Sequence, residues 1–320
     1  MEPSNKQPQC IANLAQDELE TPPLSLRQLT WLRFRRHKLA VAGTIVLALL
    51  FVYCFGGGLI VSEDYANYND TSLRLNPPSA EHPFGTDTIG RDILARTMYG
   101  GQISLIIGIT AVTIETIVGV LIGALAGYYG GLLDSILMRI TEAALNIPQL
   151  FLLIVMAKYF GNKLPSFDIL GRELSGSVLV IVMILGLTSW MYLARIVRAE
   201  FLSIKENEFI LAAKATGTSN IEIIFRHILP NSVAPVIVSA TLGVANAILN
   251  EAYISFLGLG VQAPTATWGN MLERANDYEI LQSAPWFWIF PSVLILLTVL
   301  SINFLGDGLR DAIDPHSRAV

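Results

Sequence analysis

Charged side chains are scarce in this sequence of 320 residues. Asp, Glu, Lys and Arg together make up 15% of the chain, against roughly 25% in an average soluble domain. Hydrophobic residues reach 52%, so the composition is typical of a membrane protein and excludes an ordinary soluble domain. The net charge of −5 lacks the basic excess that nucleic-acid-binding proteins carry, so we expect no nucleic-acid partner.

Cysteines and catalytic motifs are scarce as well. Cys10 lies in a polar segment and Cys54 in an apolar run, so no disulfide is predicted. The sequence contains no Walker A string, no cluster of metal-ligating residues and no suitably placed Ser/His/Asp triad. We therefore expect no catalytic residue, no metal site and no cofactor bound by this chain.

Long apolar runs dominate the chain instead. Six of them are long enough to cross a hydrocarbon layer roughly 30 Å thick, which predicts an all-α polytopic membrane protein with six transmembrane helices. The third span is expected to start as a polar-faced helix and to kink at Pro148. The predicted spans cover residues 39–61, 102–129, 132–159, 178–194, 233–257 and 285–305.

Lysine and arginine are distributed unevenly between the two sides that this topology creates. If the N-terminus lies inside the cell, most of the 21 Lys and Arg residues fall on the cytoplasmic side. The basic segment 31–38 comes directly before the first span and holds that end in the cytoplasm. The pattern predicts cytoplasmic N- and C-termini, with residues 1–28 as a flexible cytoplasmic tail.

A turn is predicted in the polar segment 62–100, which follows the first span. Pro83 and Gly85 favour this turn, and Thr86 or Asp87 is predicted to cap the helix that leads into the second span. His82 stands among acids but lacks a spaced metal-ligating partner, so a structural role is preferred to a metal site.

Four polar residues are predicted at membrane depth and are therefore candidates for a translocation path. An acid exposed to lipid costs at least ~2.5 kcal/mol, so Glu115 is either functional or a protonated or hydrogen-bonded carboxyl between helices. In the same span, Gly119, Gly123 and Gly127 recur every four residues and predict close helix packing. The four candidate path residues are Glu115, Asn246, Asn250 and Glu251.

The segment 208–231 is predicted to form a helix, a turn and a second helix between two spans. Helix formers at 209–216 are followed by Gly217, whose backbone reaches a positive φ without strain. Ser219 is predicted to cap the second helix, with Glu222 completing a capping box, and Pro230 to end it. An ordinary amphipathic surface hairpin is the alternative. The apolar residues at helical spacing in the second helix are Ile221, Ile224, Phe225 and Ile228.

Four strings stand in order along residues 29–315. In chain order they are the stretch 82–92 (HPFGTDTIGRD), Ala212-Ala213 with Gly217 and Ile228-Leu229-Pro230, the stretch 255–261 (SFLGLGV) with Trp268-Gly269, and the stretch 303–315 (NFLGDGLRDAIDP). Together they resemble the permease subunits of ABC importers of the dipeptide, oligopeptide and nickel class. The chain is similar to the C-type member of the permease pair, which has a short first external segment.

The resemblance implies a type I ABC importer transmembrane fold with a cytoplasmic coupling helix. Its EAA loop would seat in a cleft of the ATPase subunit, although Leu211 stands where the family usually has Glu, and Glu208 is the nearest acid. The implied domains are an N-terminal segment with the first span and external loop (29–100), a five-helix transmembrane domain (101–307) and a cytoplasmic tail (308–320). The implied coupling residues are Glu208, Leu211, Ala212, Ala213, Gly217, Ile228, Leu229 and Pro230.

The resemblance also implies partners. These are a homologous second permease, two ABC ATPase subunits that bind ATP and Mg, an external solute-binding protein and the lipid of the bacterial cytoplasmic membrane. Peptides are the expected cargo, with nickel complexes, glutathione or another small solute as alternatives. A proton-coupled secondary transporter that uses Glu115 and Glu251 as proton carriers is a remote alternative, and a membrane-embedded enzyme is more remote still.

Overall fold

The computed structural model describes residues 25–161, 163–169 and 172–313. Most of the predicted tail, residues 1–24, lies outside the described residues. The described chain begins with a capping box, in which Ser25 Oγ accepts from the Gln28 amide (3.3 Å) and Gln28 Oε1 accepts from the Ser25 amide (2.9 Å). A helix, α1 (Leu26–Arg36), follows at once, so the last residues of the predicted tail are already helical.

The architecture is mostly helical. The two strands in the described residues form one short antiparallel hairpin, in which Phe167 pairs with Leu174. Short 3-10 turns cover Thr71–Leu73, Leu229–Asn231 and Glu273–Asn276. The remaining elements, in chain order, are α2 (Lys38–Ile60), α3 (Glu63–Asn67), α4 (Ile93–Tyr129), α5 (Gly131–Leu145), α6 (Gln149–Phe160), β1 (Phe167–Ile169), β2 (Arg172–Leu174), α7 (Gly176–Ile204), α8 (Glu208–Ala215), α9 (Asn220–Glu222, continued by a π-helical turn over Ile223–Ile228), α10 (Val233–Phe256), α11 (Trp268–Met271), α12 (Tyr278–Ser283) and α13 (Pro285–Ile313).

Five helices within the described ranges are long and apolar enough to cross a membrane: α2, α4, α7, α10 and α13. Helices α5 and α6 pass the same test as a pair, bent by 83° at the break before Gln149. The pair makes a sixth span if it counts as one broken helix. The predicted break at Pro148 is therefore present. It is a full interruption, since α5 ends at Leu145 and Pro148, which has no amide hydrogen, precedes the first residue of α6.

Helix α4 begins earlier than predicted, and its cap is a different residue. Asp92 caps it, with Oδ1 accepting from the Ala95 amide at 2.7 Å. The prediction of Thr86 or Asp87 as the cap was wrong, because both side chains are used elsewhere. The Thr86 hydroxyl donates to the Leu73 carbonyl, while Asp87 Oδ2 lies 2.6 Å from Arg91 Nε. The string 82–92 thus folds into a network that fixes the start of α4.

Close packing of α4 against α7 forms the centre of the bundle. A Cβ on Gly123 would lie 2.5 Å from the Ala194 carbonyl oxygen, and one on Gly127 would lie 2.6 Å from Phe201 Cβ. Side chains at these positions would push the two helices apart, so the predicted role of the glycine repeat is confirmed.

The two ends of the described chain lie at one end of the bundle. His37 Nε2 is 3.6 Å from an Asp311 carboxylate oxygen, and Gly308 on α13 packs against Ala40 at the start of α2. Helix α13 continues to Ile313, so the first six residues of the predicted tail 308–320 are helical and the rest lie outside the described ranges. Helix α10 begins at this same end, where Gly306 packs against Leu242.

Candidate functional site

The segment 208–231 forms the helix–turn–helix that its residues favour. Helix α8 ends before Gly217, which takes a φ of +81°. Ser219 Oγ accepts from the Glu222 amide at 3.3 Å and so caps α9. The predicted capping box is incomplete, because the Glu222 carboxylate instead accepts from Arg226 Nη1 at 3.0 Å.

The buried face of the second helix differs from the predicted one. Ile223, Ile224 and Ile228 are buried, whereas Ile221 and Phe225 are 68% and 65% exposed. The prediction assumed α-helical spacing, but residues 223–228 form a π turn, whose i→i+5 hydrogen bonds change which side chains share a face.

Buried side chains anchor this segment to the ends of α4 and α7. Ile210 on α8 is fully buried and belongs to a cluster with Ile223 and Phe201. The Tyr128 hydroxyl at the end of α4 donates to Asn220 Oδ1 at 2.7 Å. Sequence patterns did not identify Ile210, Ile223 or Tyr128. No spacing in the sequence marks Ile210, because a helix break at 205–207 separates it from Ile204.

The eight predicted coupling residues divide by exposure. Ile228 is fully buried, and Ala213 and Leu229 are partly buried against the cluster. Five are exposed, namely Glu208, Leu211, Ala212, Gly217 and Pro230. Large apolar side chains, which we call the exposed apolar set, also face solvent in this segment. The set consists of Phe209, Leu211, Ile221 and Phe225.

A cavity of about 520 Å³ opens between α4, the α5–α6 turn, α7 and α10. It brings together three of the four candidate path residues, Glu115, Asn246 and Asn250. Polar residues that sequence reasoning missed also line it, and two of them, Gln149 and Ser189, are joined by a 3.2 Å hydrogen bond. The sequence feature that could have identified Gln149 and Ser189 is a polar residue within an apolar run. The full lining is Glu115, Leu145, Ile147, Pro148, Gln149, Leu152, Thr188, Ser189, Met191, Tyr192, Leu193, Ile196, Ser239, Leu242, Gly243, Asn246, Ala247 and Asn250.

Glu251, the fourth candidate, does not line this cavity. It is fully buried and accepts from the Ser255 hydroxyl at 2.7 Å and the Ser104 hydroxyl at 3.3 Å. Ser104 Oγ in turn accepts from the Trp268 amide at 3.1 Å. Glu251 therefore ties α10 to α4 and α11, and its place in the translocation path stays a prediction.

Comparison with known families identifies the chain. A model described as "Binding-protein-dependent transport system inner membrane component" matches residues 119–319. The chain belongs to this family. A second model, the "N-terminal TM domain of oligopeptide transport permease C", matches residues 25–78. The resemblance stated from the four sequence strings is thus confirmed.

Individual relatives agree with the family assignment. The chain is 41% identical to the dipeptide transport system permease protein DppC of Bacillus subtilis over 308 residues, which cover 96% of this chain and 91% of that protein. It is 43% identical to the DppC protein of Alkalihalophilus pseudofirmus, with coverage of 90% and 89%. Among solved structures, the MetNI methionine ABC transporter in an inward-facing conformation matches with a TM-score of 0.51 and 19% identity, covering 67% of this chain and 94% of that one. The fold is that of a type I ABC importer permease, as predicted.

Proposed function

We propose that this multi-pass membrane protein is a permease subunit of an ATP-driven importer of peptides. The observation that carries the proposal is its 41% identity, over nearly its whole length, to a protein named as a dipeptide permease. The cavity of about 520 Å³ is the share of the translocation path that this chain contributes. A homologous second permease covers the side of the cavity that this chain leaves open.

The segment 208–231 couples the path to ATP hydrolysis. Its exposed apolar set supplies a docking surface, and Leu211 contributes an apolar contact where the family usually has an acid. Its buried cluster and the Tyr128–Asn220 hydrogen bond join it to α4 and α7, which line the cavity. A displacement of the segment by two ATPase subunits therefore moves the cavity walls and switches access between the two sides.

The coupling segment lies on the cytoplasmic side of the bacterial inner membrane. The positive-inside distribution of Lys and Arg supports this orientation, and the described N- and C-terminal helices lie at the end where α10 begins. An external solute-binding protein delivers cargo to the opposite side, and membrane lipid surrounds the bundle. ATP and Mg bind to the ATPases, so this chain performs no covalent chemistry.

The proton-coupled alternative uses Glu115 and Glu251 as proton carriers, and Glu251 does not line the cavity. Glu251 is buried in a network of hydroxyl groups away from the cavity, so a proton on it has no path along the described lining. Nickel complexes, glutathione and other small solutes remain alternative cargoes, and the names of the relatives favour peptides over them.

The test begins with purification of the tagged chain in mild detergent and mass spectrometry of the co-purifying proteins. We expect a second permease, ATPases with Walker A motifs and a binding protein. The reconstituted complex should accumulate a radiolabelled dipeptide only when ATP is present on the side of the membrane that carries the ATPases. Uptake driven by a proton gradient without ATP would contradict the proposal, and uptake of nickel or glutathione alone would reassign the cargo.

A further inference from the structure

Glu115 is the formally charged residue in the lining of the cavity described above. It lies 14 residues before Tyr129, the last residue of α4, which places it ~21 Å from that end at 1.5 Å per residue. The carboxylate is therefore well inside the hydrocarbon layer, at a depth where cargo must pass. The other polar lining groups are amides and hydroxyls.

The Glu115 carboxylate forms no hydrogen bond or ion pair with any residue in the described part of the chain. Glu251, the acid on α10, instead accepts from two serine hydroxyls. A carboxylate at membrane depth without a partner is unfavourable unless a cation or donor reaches it. The cavity is the space from which such a group can arrive.

The facing helix leaves room beside this carboxylate. A Cβ on Gly243 would lie 3.6 Å from Glu115 Oε2, so α10 passes close to the acid without a side chain in between. Asn246 and Asn250 follow Gly243 at helical spacing and line the same cavity. The wall thus offers one carboxylate next to a row of amide groups.

We propose that Glu115 binds the ammonium group of the cargo, so that this permease itself selects peptides with a free amino terminus. The carboxylate neutralises the ammonium, and the amides of Asn246 and Asn250 hydrogen-bond to the polar backbone that follows it. The inference rests on the proposed import function and adds a charge preference inside the membrane. It places selectivity in this chain as well as in the binding protein.

The test compares uptake of a free tripeptide with uptake of its N-acetylated form by the complete reconstituted importer. The binding protein has its own preference, but this cancels when the free-to-acetylated uptake ratio of a variant is divided by that of the wild type. We expect Glu115→Gln and Glu115→Ala to lower the ratio about fivefold, the loss of roughly one ion pair. Glu115→Asp, which keeps the charge, should retain most of the preference.

The matched control is Glu142→Gln, which removes an exposed carboxylate on α5 that does not line the cavity. Its ratio should equal that of the wild type. An unchanged ratio in both neutral Glu115 variants overturns the inference while peptide import stands. A lower yield of the second permease in the purified complex, with uptake of both peptides reduced by the same factor, would overturn the inference and assign Glu115 to an ion pair between the subunits instead. Absence of ATP-dependent peptide uptake by the wild type is a failure of the proposed function.

Discussion

Arg198 and Asp134 form a bidentate ion pair, with Arg198 Nε 2.5 Å from Asp134 Oδ1 and Arg198 Nη2 2.7 Å from Asp134 Oδ2. The pair joins α7 to α5 near the end of the bundle that carries the coupling segment. Two parallel hydrogen bonds fix the relative orientation of the two planar groups as well as their distance. Helix α5, which is separated from α4 by Gly130 alone, is thereby held against α7.

Asp134→Asn should weaken this link. Both side chains are partly exposed, so solvent screening limits the loss in the free energy of unfolding to about 1 kcal/mol. Thermal unfolding of the purified protein in detergent measures it. The control is Glu222→Gln, which breaks the much more exposed pair with Arg226 and should leave the unfolding temperature unchanged. Equal effects of the two substitutions would show that the geometry of the Arg198 pair adds nothing.

Gly217 should tolerate substitution only by residues that accept a left-handed backbone. Its φ is +81°, and an added Cβ would meet nothing within 4 Å, so strain in the backbone is the obstacle rather than crowding. Gly217→Val forces a β-branched residue into this conformation, at a strain of at least ~1–2 kcal/mol. Asn adopts the conformation far more readily.

The measurement for Gly217 is cargo-stimulated ATP hydrolysis by the reconstituted complex. We expect Gly217→Val to lose most of the stimulation, because the turn that presents the docking segment is distorted, and Gly217→Asn to keep most of it. Wild-type stimulation of ATP hydrolysis in Gly217→Val would show that the turn is not required for coupling.

Phe225 should matter for ATPase binding and little for folding. It is 65% exposed in the isolated chain, so Phe225→Ser removes few internal contacts. We expect this variant to keep its unfolding temperature. Much less ATPase should co-purify with it than with the wild type. Ile223→Ala, which truncates a fully buried side chain two residues earlier, should show the reverse, with about 2–5 kcal/mol lost in stability. Normal ATPase recovery with Phe225→Ser would exclude this side chain from the interface.

Glu251 should behave as a structural residue. Glu251→Leu leaves the Ser104 and Ser255 hydroxyls without their acceptor in the interior, which costs about 1–3 kcal/mol. Glu251→Gln retains an acceptor oxygen and should cost less. Thermal unfolding reports the difference, and the free-to-acetylated uptake ratio should stay at the wild-type value in Glu251→Gln. A changed uptake ratio would indicate that Glu251 belongs to the translocation path.

The sequence by itself determined the helical class, the approximate positions of the spans and the turn at Gly217. These features depend on local physics: the length of an apolar run against the thickness of a bilayer, and the freedom of glycine to take a positive φ. The four strings likewise sufficed to identify the family. Even the interruption at Pro148 followed from one residue that lacks an amide hydrogen.

Only the tertiary structure separated Glu115 from Glu251. Both are acids within apolar runs, and nothing nearby in the sequence distinguishes them. Ser104, which donates to Glu251, is 147 positions away, whereas Glu115 faces a cavity whose other walls are the α5–α6 turn, α7 and α10. The burial of Ile223 in place of Ile221 was decided in the same way, since a π turn changes which side chains share a face. Whether a polar group is satisfied or free depends on partners that only the packed chain brings together.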